Sequence, residues 1–297
     1  MNVDDLGLHA AVRRAVESLA ALSRVTSTTL LVNGPDAEAA AKQLGGSDGS
    51  LGVGVHLNIL RGRPMSPARE IPGLLRPDGL FLGNYTELFA RYLTKAFSIA
   101  DVEREWSRQV ERALELGVCP THVDSEKHIH AWPGLFQAAC RVAARYGISW
   151  VRRPVERLSP LRWDKGALRV RVLNTFGLFH ALDQTPVGVA SPDCVFGIAD
   201  QGAMLLPERL GAYMKRVRPT VLEVVCHPGA AQPAELEGAG PVPPEYGAMR
   251  ISGQWRAEYE ALSAPGWGEA LRESGARLAH YGQLDPITRD ARPVARQ

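Results

Sequence analysis

A chain of 297 residues has room for one large α/β domain or two ordinary ones. With 45% hydrophobic and 22% charged residues it has the balance of a globular protein with a well-buried core. A formal net charge of +2, with no basic stripe interleaved with aromatics, argues against a nucleic-acid partner, and no apolar run reaches the roughly 20 residues of a transmembrane segment.

Strand-like and helix-like segments alternate along the chain, the pattern of a parallel sheet. The spacing predicts a helix over 8–24, then a β-branched strand over 25–33 broken by Gly34-Pro35. A helix over 36–44 and a buried strand over 51–59 follow. The Gly/Pro-rich stretch from about 61 to 84 is too long for a plain connection and is expected to be a lid or substrate loop. Helices are predicted over 86–97 and 101–117, the second with Val102, Trp106, Val110 and Leu114 along one side. A short strand at 121–125, a helix at 133–146, a strand at 149–151 and a helix near 166–182 come next. The last clear strand, 220–226, runs into His227-Pro-Gly, and a second long loop is expected over 230–250. One domain is expected over 1–297, with a polar tail from about 285.

The N-terminus shows no basic segment followed by an apolar one, so no secretory signal is expected. Cys119, Cys140, Cys194 and Cys226 are widely spaced without a CxxC pair, which points to reduced thiols and a cytoplasmic location.

The polar residues of interest fall where predicted strands give way to loops: Asp4-Asp5, His56, the cluster from Asp124 to His130, Arg152-Arg153 and His227. In a parallel α/β barrel those strand ends open on one face, which hosts the active site. Asp4 and Asp5 can divide labour between a cation and a proton, although a helix N-cap accounts for them equally well. His56 interrupts a small, apolar run and reads either as a core histidine or as a ligand beside carboxylates.

The segment 121–133, THVDSEKHIHAWP, carries His122, Asp124, Glu126, His128 and His130 at a two-residue period. If the strand continued, all five would share one face, which makes sense as a metal site with outer partners and not as packing. His227 is placed to act as acid or base, or to bond a neighbouring loop. Arg153 could hold a substrate carbonyl, or be a surface charge beside Arg152. No GxSxG elbow, P-loop or HExxH is present, and Gly52-Val-Gly54 lacks the third glycine of a dinucleotide site.

Six segments in order, VDDLGL (3–8), VTSTTLLVNG (25–34), GVHLNILRGRPMSP (54–67), PTHVDSEKHIHAWP (120–133), VRRP (151–154) and CHPG (226–229), resemble the YdjC-like family over nearly the whole chain. That family includes chitooligosaccharide deacetylases and a deacetylase associated with hopanoid biosynthesis. The resemblance implies a distorted (β/α) TIM-like barrel of the glycoside hydrolase/deacetylase type. It implies Asp5 and His56 as metal ligands, Asp4 as the base and His227 as the acid.

The family's third ligand is commonly a histidine directly after the Asp-Ser pair, where this chain has Glu126. Glu126 would then ligate, shifting preference from zinc toward magnesium or manganese, or His128 takes over. Only Met1, Asn2 and Val3 precede the acidic pair, so that either the chain starts short and leaves Asp4 and Asp5 loosely held, or its start is placed too late.

The implied chemistry is hydrolysis of the N-acetyl amide of an amino sugar. A divalent cation, magnesium favoured over zinc and manganese, would polarise the carbonyl, with Arg153 beside the developing oxyanion. Ester or phosphoester hydrolysis, and a metal-poor carbohydrate-binding protein, are the alternatives. For sugar stacking, Tyr85, Trp132 and Trp255 are on offer. Beyond the sugar no partner is expected, except a homodimer on general grounds.

Overall fold

The computed structural model describes residues 1–44, 49–180, 188–230 and 253–286. Seven strands form one sheet in the order β5-β4-β3-β2-β1-β7-β6, and every pairing is parallel. They are β1 (Asn2–Leu6), β2 (Ser27–Leu30), β3 (Gly52–Leu57), β4 (His122–Ser125), β5 (Trp150–Val151), β6 (Cys194–Phe196) and β7 (Leu222–Cys226).

Among the described residues the helices are α1 (Ala10–Ala21), α2 (Ala37–Leu44), α3 (Tyr85–Leu93), α4 (Ile99–Glu115), α5 (Leu135–Arg145), α6 (Lys165–His180), α7 (Pro207–Val217), α8 (Gln254–Ser263) and α9 (Trp267–Glu273). None is long and apolar enough to cross a membrane. The four cysteines are free, and only Cys119 is exposed.

The sheet curls until its edges meet. Val195 N–H of β6 donates to Val155 O, just beyond β5, at 2.9 Å, and Ile198 and Ala199 N–H donate to the buried Glu156 carboxylate at 3.0 and 2.9 Å. The sheet is thus a distorted (β/α) barrel, closed on one side by a few hydrogen bonds instead of a full ladder. A cavity opens at the carboxyl ends of its strands, where the α/β barrel places its chemistry.

Contrary to the expectation of a loose N-terminus, β1 is a central strand. It pairs with both β2 and β7, all five residues are buried, and the Met1 ammonium donates to Thr26 Oγ1 at 3.0 Å. Central parallel strands have both faces covered, so this short strand is held by its neighbours on either side and by the layers above and below it.

The helix predicted over 101–117 is α4, opened by a Ser98–Asp101 capping box. Its buried side takes Val102, Trp106, Val110 and Ala113; Leu114 is 44% exposed. The step from Val110 to the core is three residues, because a 3.6-residue helix cannot repeat every fourth residue indefinitely. Strand β6 and helices α7, α8 and α9 have no counterpart among the predicted elements. Three-residue β6 is too short to show a period.

The stretch 61–84 is packed into the core and is not a free lid. Ile71, Leu74, Leu75, Phe81 and Leu82 are buried, short 3-10 turns cover Ala68–Glu70 and Pro72–Leu74, and Leu75 bridges Phe81. The second predicted loop, beyond Ala230, and the tail from residue 287 lie outside the described residues.

Candidate active site

The cavity at the strand ends has a volume of about 670 Å3 and is lined by Asp4, Asp5, His56, Tyr85, Glu126, Lys127, His128, Arg169, Val172, Leu173, Gln201, His227 and Gln254. Its size suits a small-molecule site. A second hollow, about 790 Å3, lies at the opposite ends of β1 and β7 against Met1 and Leu222 and gathers no comparable set of acids and histidines.

Two consecutive aspartates face one cavity because β1 is irregular. Its register with β2 shifts between Val3 and Leu6, and Asp5 has φ +65°, in the left-handed region. In a regular strand neighbours point to opposite faces; the bulge turns Asp5 back to the side of Asp4. A non-glycine residue in that conformation is strained, and such strain concentrates at functional sites.

A similar departure shapes the segment after β4. The strand ends at Ser125, and Lys127 and His128 take φ +53° and +54° within the 3-10 turn Glu126–Ala131. The two-residue alternation therefore stops, and the five polar residues do not share a face. Glu126 and His128 reach the cavity. His122 lies within the barrel, Nε2 3.0 Å from Asn2 Oδ1, its pKa pushed well below the usual value by burial and by the Arg152 charge. Fully buried His130 shares hydrogen bonds with Ser125 Oγ and the Arg152 carbonyl.

His56 stands between two acids. Its Nδ1 is 2.7 Å from Asp124 Oδ1 and its Nε2 3.3 Å from Asp5 Oδ1. Burial opposes a charge on the ring, but Asp124 and Asp5 outweigh it and hold the pKa well above the ordinary histidine value. The carboxylate on Nδ1 fixes the ring and leaves Nε2 turned to the cavity, the arrangement that orients histidine ligands.

Arg152, wholly buried, is the hub beneath. It forms a two-point contact with Asp4 at 2.7 and 2.7 Å, meets Asp124 Oδ2 at 2.7 Å and binds Glu223 at 2.6 and 3.0 Å. Burial works against an ionised Asp4, but this guanidinium overrides it and lowers the pKa well below the carboxylate range. Burial and the Asp4 charge push Asp124 upward, against Arg152 and His56.

His227 lies with Nε2 3.6 Å from Asp4 Oδ2 and Nδ1 3.7 Å from Glu258 Oε2. Its backbone N–H donates to the same Glu258 carboxylate, which also accepts from Gly202 N–H at 2.8 Å. Glu126 pairs with the Arg61 guanidinium through Oε1. Its Oε2 is buried without a hydrogen-bond partner. Burial, and next the opposing pulls of Arg61 and Asp5, leave the Glu126 pKa raised.

These groups fit a divalent cation. Among the described residues the acids Asp4, Asp5, Asp124, Glu126, Glu223 and Glu258 are buried around the site, against the two buried guanidiniums of Arg61 and Arg152. Asp4, His56 and Asp124 each offer a donor atom within 4.8 Å of the others. In that set, however, Asp4 and Asp124 already accept from Arg152, which fills the place of a cation. Asp5, His56 and Glu126 line the cavity beside that set, and Glu126 Oε2 makes no hydrogen bond. Oxygen-rich ligands of this kind suit a hard cation.

Asp4, Asp5, His56, Glu126, His128 and His227 are therefore gathered at one cavity, whereas half-buried Arg153 is not among the lining residues. Tyr85 lines the cavity, but Trp132 and Trp255 are 0% and 2% exposed and offer no stacking face. Sequence reasoning placed Asp124 in the polar cluster and Arg152 among the strand-end groups without giving either a role, and passed over Glu223, Glu258 and Arg61. Asp124 carried a signal, two residues before Glu126 within one polar run. Glu223 and Glu258, on β7 and α8, had none.

A family model described as "YdjC-like protein" matches residues 1–273. A carbohydrate deacetylase of Mus musculus is 30% identical over 282 residues, covering 88% of this chain and 86% of the relative. One of Oceanobacillus iheyensis is 35% identical over 148 residues, 50% of this chain and 61% of the relative. Among solved structures, a protein of Enterococcus faecalis V583 described as a cellobiose-phosphate cleavage protein superposes with a TM-score of 0.68 at 23% identity, over 95% of this chain and 96% of that one.

Proposed function

This chain belongs to the YdjC-like family, and from that premise we propose that it is a carbohydrate deacetylase, hydrolysing the N-acetyl amide of an amino sugar with the help of a divalent cation. The observation that carries the reading is the bulged β1, which turns two consecutive aspartates toward one cavity that His56, Glu126 and His227 also line.

Asp5, His56 Nε2 and Glu126 would hold the cation, with His128 beside them. When bound, a divalent cation polarises the amide carbonyl and acidifies water. Asp4 accepts the proton of the attacking water; Arg152 keeps this carboxylate ionised and fixed in direction. His227 donates a proton to the departing amine from Nε2, while Glu258 holds the residue through its backbone N–H. Arg153 is outside the cavity lining and is given no part in stabilising the oxyanion. Tyr85, Gln201 and Gln254 offer polar groups, and Val172 and Leu173 an apolar wall, to a sugar ring.

The test is acetate release from a panel of N-acetylated amino sugars, with chelator and after restoring magnesium, manganese or zinc. Release that chelator stops and a metal restores is expected. Folded protein that releases no acetate with any metal would overturn the reading.

A further inference from the structure

Arg61 comes from the segment just after β3 and is anchored through its backbone. Its N–H donates to Asn58 Oδ1 at 3.2 Å, and its carbonyl accepts from the Asn58 and Asn33 side-chain amides at 2.8 and 3.0 Å. Asn58 is itself held by Gln109 of α4, whose Oε1 accepts from Asn58 N–H at 2.8 Å. The guanidinium is thus presented to Glu126 from a fixed base, and both side chains are buried. One carboxylate oxygen takes the ion pair; the other is buried, makes no hydrogen bond, and belongs to a residue lining the cavity with Asp5. Stability alone does not account for such a pair. A buried ion pair gains little over apolar side chains of equal volume, and a buried oxygen left unbonded is a cost.

We propose that Arg61 is a positioning residue of the metal centre: it grips Glu126 by one oxygen so that the other is presented as a single-point ligand, and it cancels the charge of Glu126. With Asp5 and Glu126 each negative and Arg61 positive, the set of Asp5, His56 and Glu126 faces a divalent cation with one net negative charge instead of two. The inference rests on the reading that this cavity holds a divalent cation. With Glu126 charged, the grip of Arg61 on this ligand outweighs the direct repulsion between the guanidinium and the ion. Once Glu126 is neutral, the guanidinium becomes a bare positive charge that repels the ion.

The experiment is calorimetric titration of the purified full chain with Mn2+, with Tm and circular dichroism recorded for each variant. Arg61→Met is expected to weaken binding by about 10- to 100-fold, the usual effect of losing a residue that orients a ligand. Glu126→Gln should weaken it further. In the Glu126→Gln background the sign reverses: adding Arg61→Met should recover about tenfold, within the range of coupling between contacting residues. Adding Arg61→Lys, which keeps the charge, should recover nothing. Should Arg61→Met fail to fold, Arg61→Gln, which keeps polar donors without the charge, is expected to give the same reversal. Equal weakening by the Arg61 substitution in both backgrounds would overturn the proposal and leave Arg61 a merely structural residue. Absence of Mn2+ binding to the folded wild type would instead overturn the metal reading, and the inference with it.

Discussion

Asp4 and Asp5 are neighbours in sequence with opposite surroundings. Both Asp4 oxygens accept from Arg152, while Asp5 faces His56 Nε2 across 3.3 Å. Their substitutions should therefore separate. Asp5→Asn is expected to abolish both cation binding and acetate release. Asp4→Asn should keep cation binding, measured by titration, while kcat falls by about 10²- to 10⁴-fold, the range for a lost general base. If Asp4→Asn lost cation binding and Asp5→Asn kept it, the two roles would be reversed. Both acids were visible in the sequence as adjacent carboxylates at a strand end, although a helix N-cap explained them as well. The partner that tells them apart was not. Arg152 and Arg153 are adjacent, and a two-residue strand does not reveal which of them turns inward.

The elements hold the site through buried polar contacts. Helix α4 clamps the chain after β3. Gln109 exchanges hydrogen bonds with the Asn58 backbone, and Glu105 accepts from Met65 and Ser66 N–H at 2.9 and 2.8 Å. Gln109→Ala removes these partners and is expected to cost about 1–3 kcal/mol in chemical denaturation, the range for leaving buried groups unsatisfied.

The barrel edge offers a pH test. Burial, with Asp200 adding to it, pushes Glu156 up to about 7 against the backbone N–H groups it accepts from. Its folded pKa lies above the unfolded value of about 4.3, so the folded state binds the extra proton. That stabilisation is full below the unfolded pKa and disappears as pH rises through the folded value, a change of order 3 kcal/mol. Glu156→Gln keeps an acceptor for Ile198 and Ala199 without the titration. Its Tm should fall less than that of wild type between about pH 5 and pH 8. Parallel falls would show that Glu156 does not titrate there. Nothing in the sequence marked Glu156, since its importance comes from closing a sheet whose edge strands are far apart in the chain.

Across the whole molecule, Arg152 ties β1, β4, β5 and β7 together beneath the cavity through Asp4, Asp124 and Glu223. Arg152→Met would strand three buried acids around an apolar side chain. It is expected to destabilise the fold by about 3–5 kcal/mol, measured by urea denaturation at neutral pH, with partial recovery when the acids are protonated in mild acid. A variant as stable as wild type at neutral pH would mean that the acids find other partners.

The sequence by itself determined the parallel α/β architecture, most of its strands and helices, and the strand ends at which the acids and histidines of the site fall. These follow from local periodicity and from the rule that parallel barrels expose their strand ends together. Only the tertiary structure decided which polar residues face the cavity and which serve as pillars. His122 and His130 match His128 in spacing yet lie elsewhere, because the chain leaves the extended state after Ser125. Glu223, Glu258 and Arg61 join the site from distant segments. Contacts between residues tens to hundreds of positions apart depend on how the sheet curls, and local sequence carries no record of that.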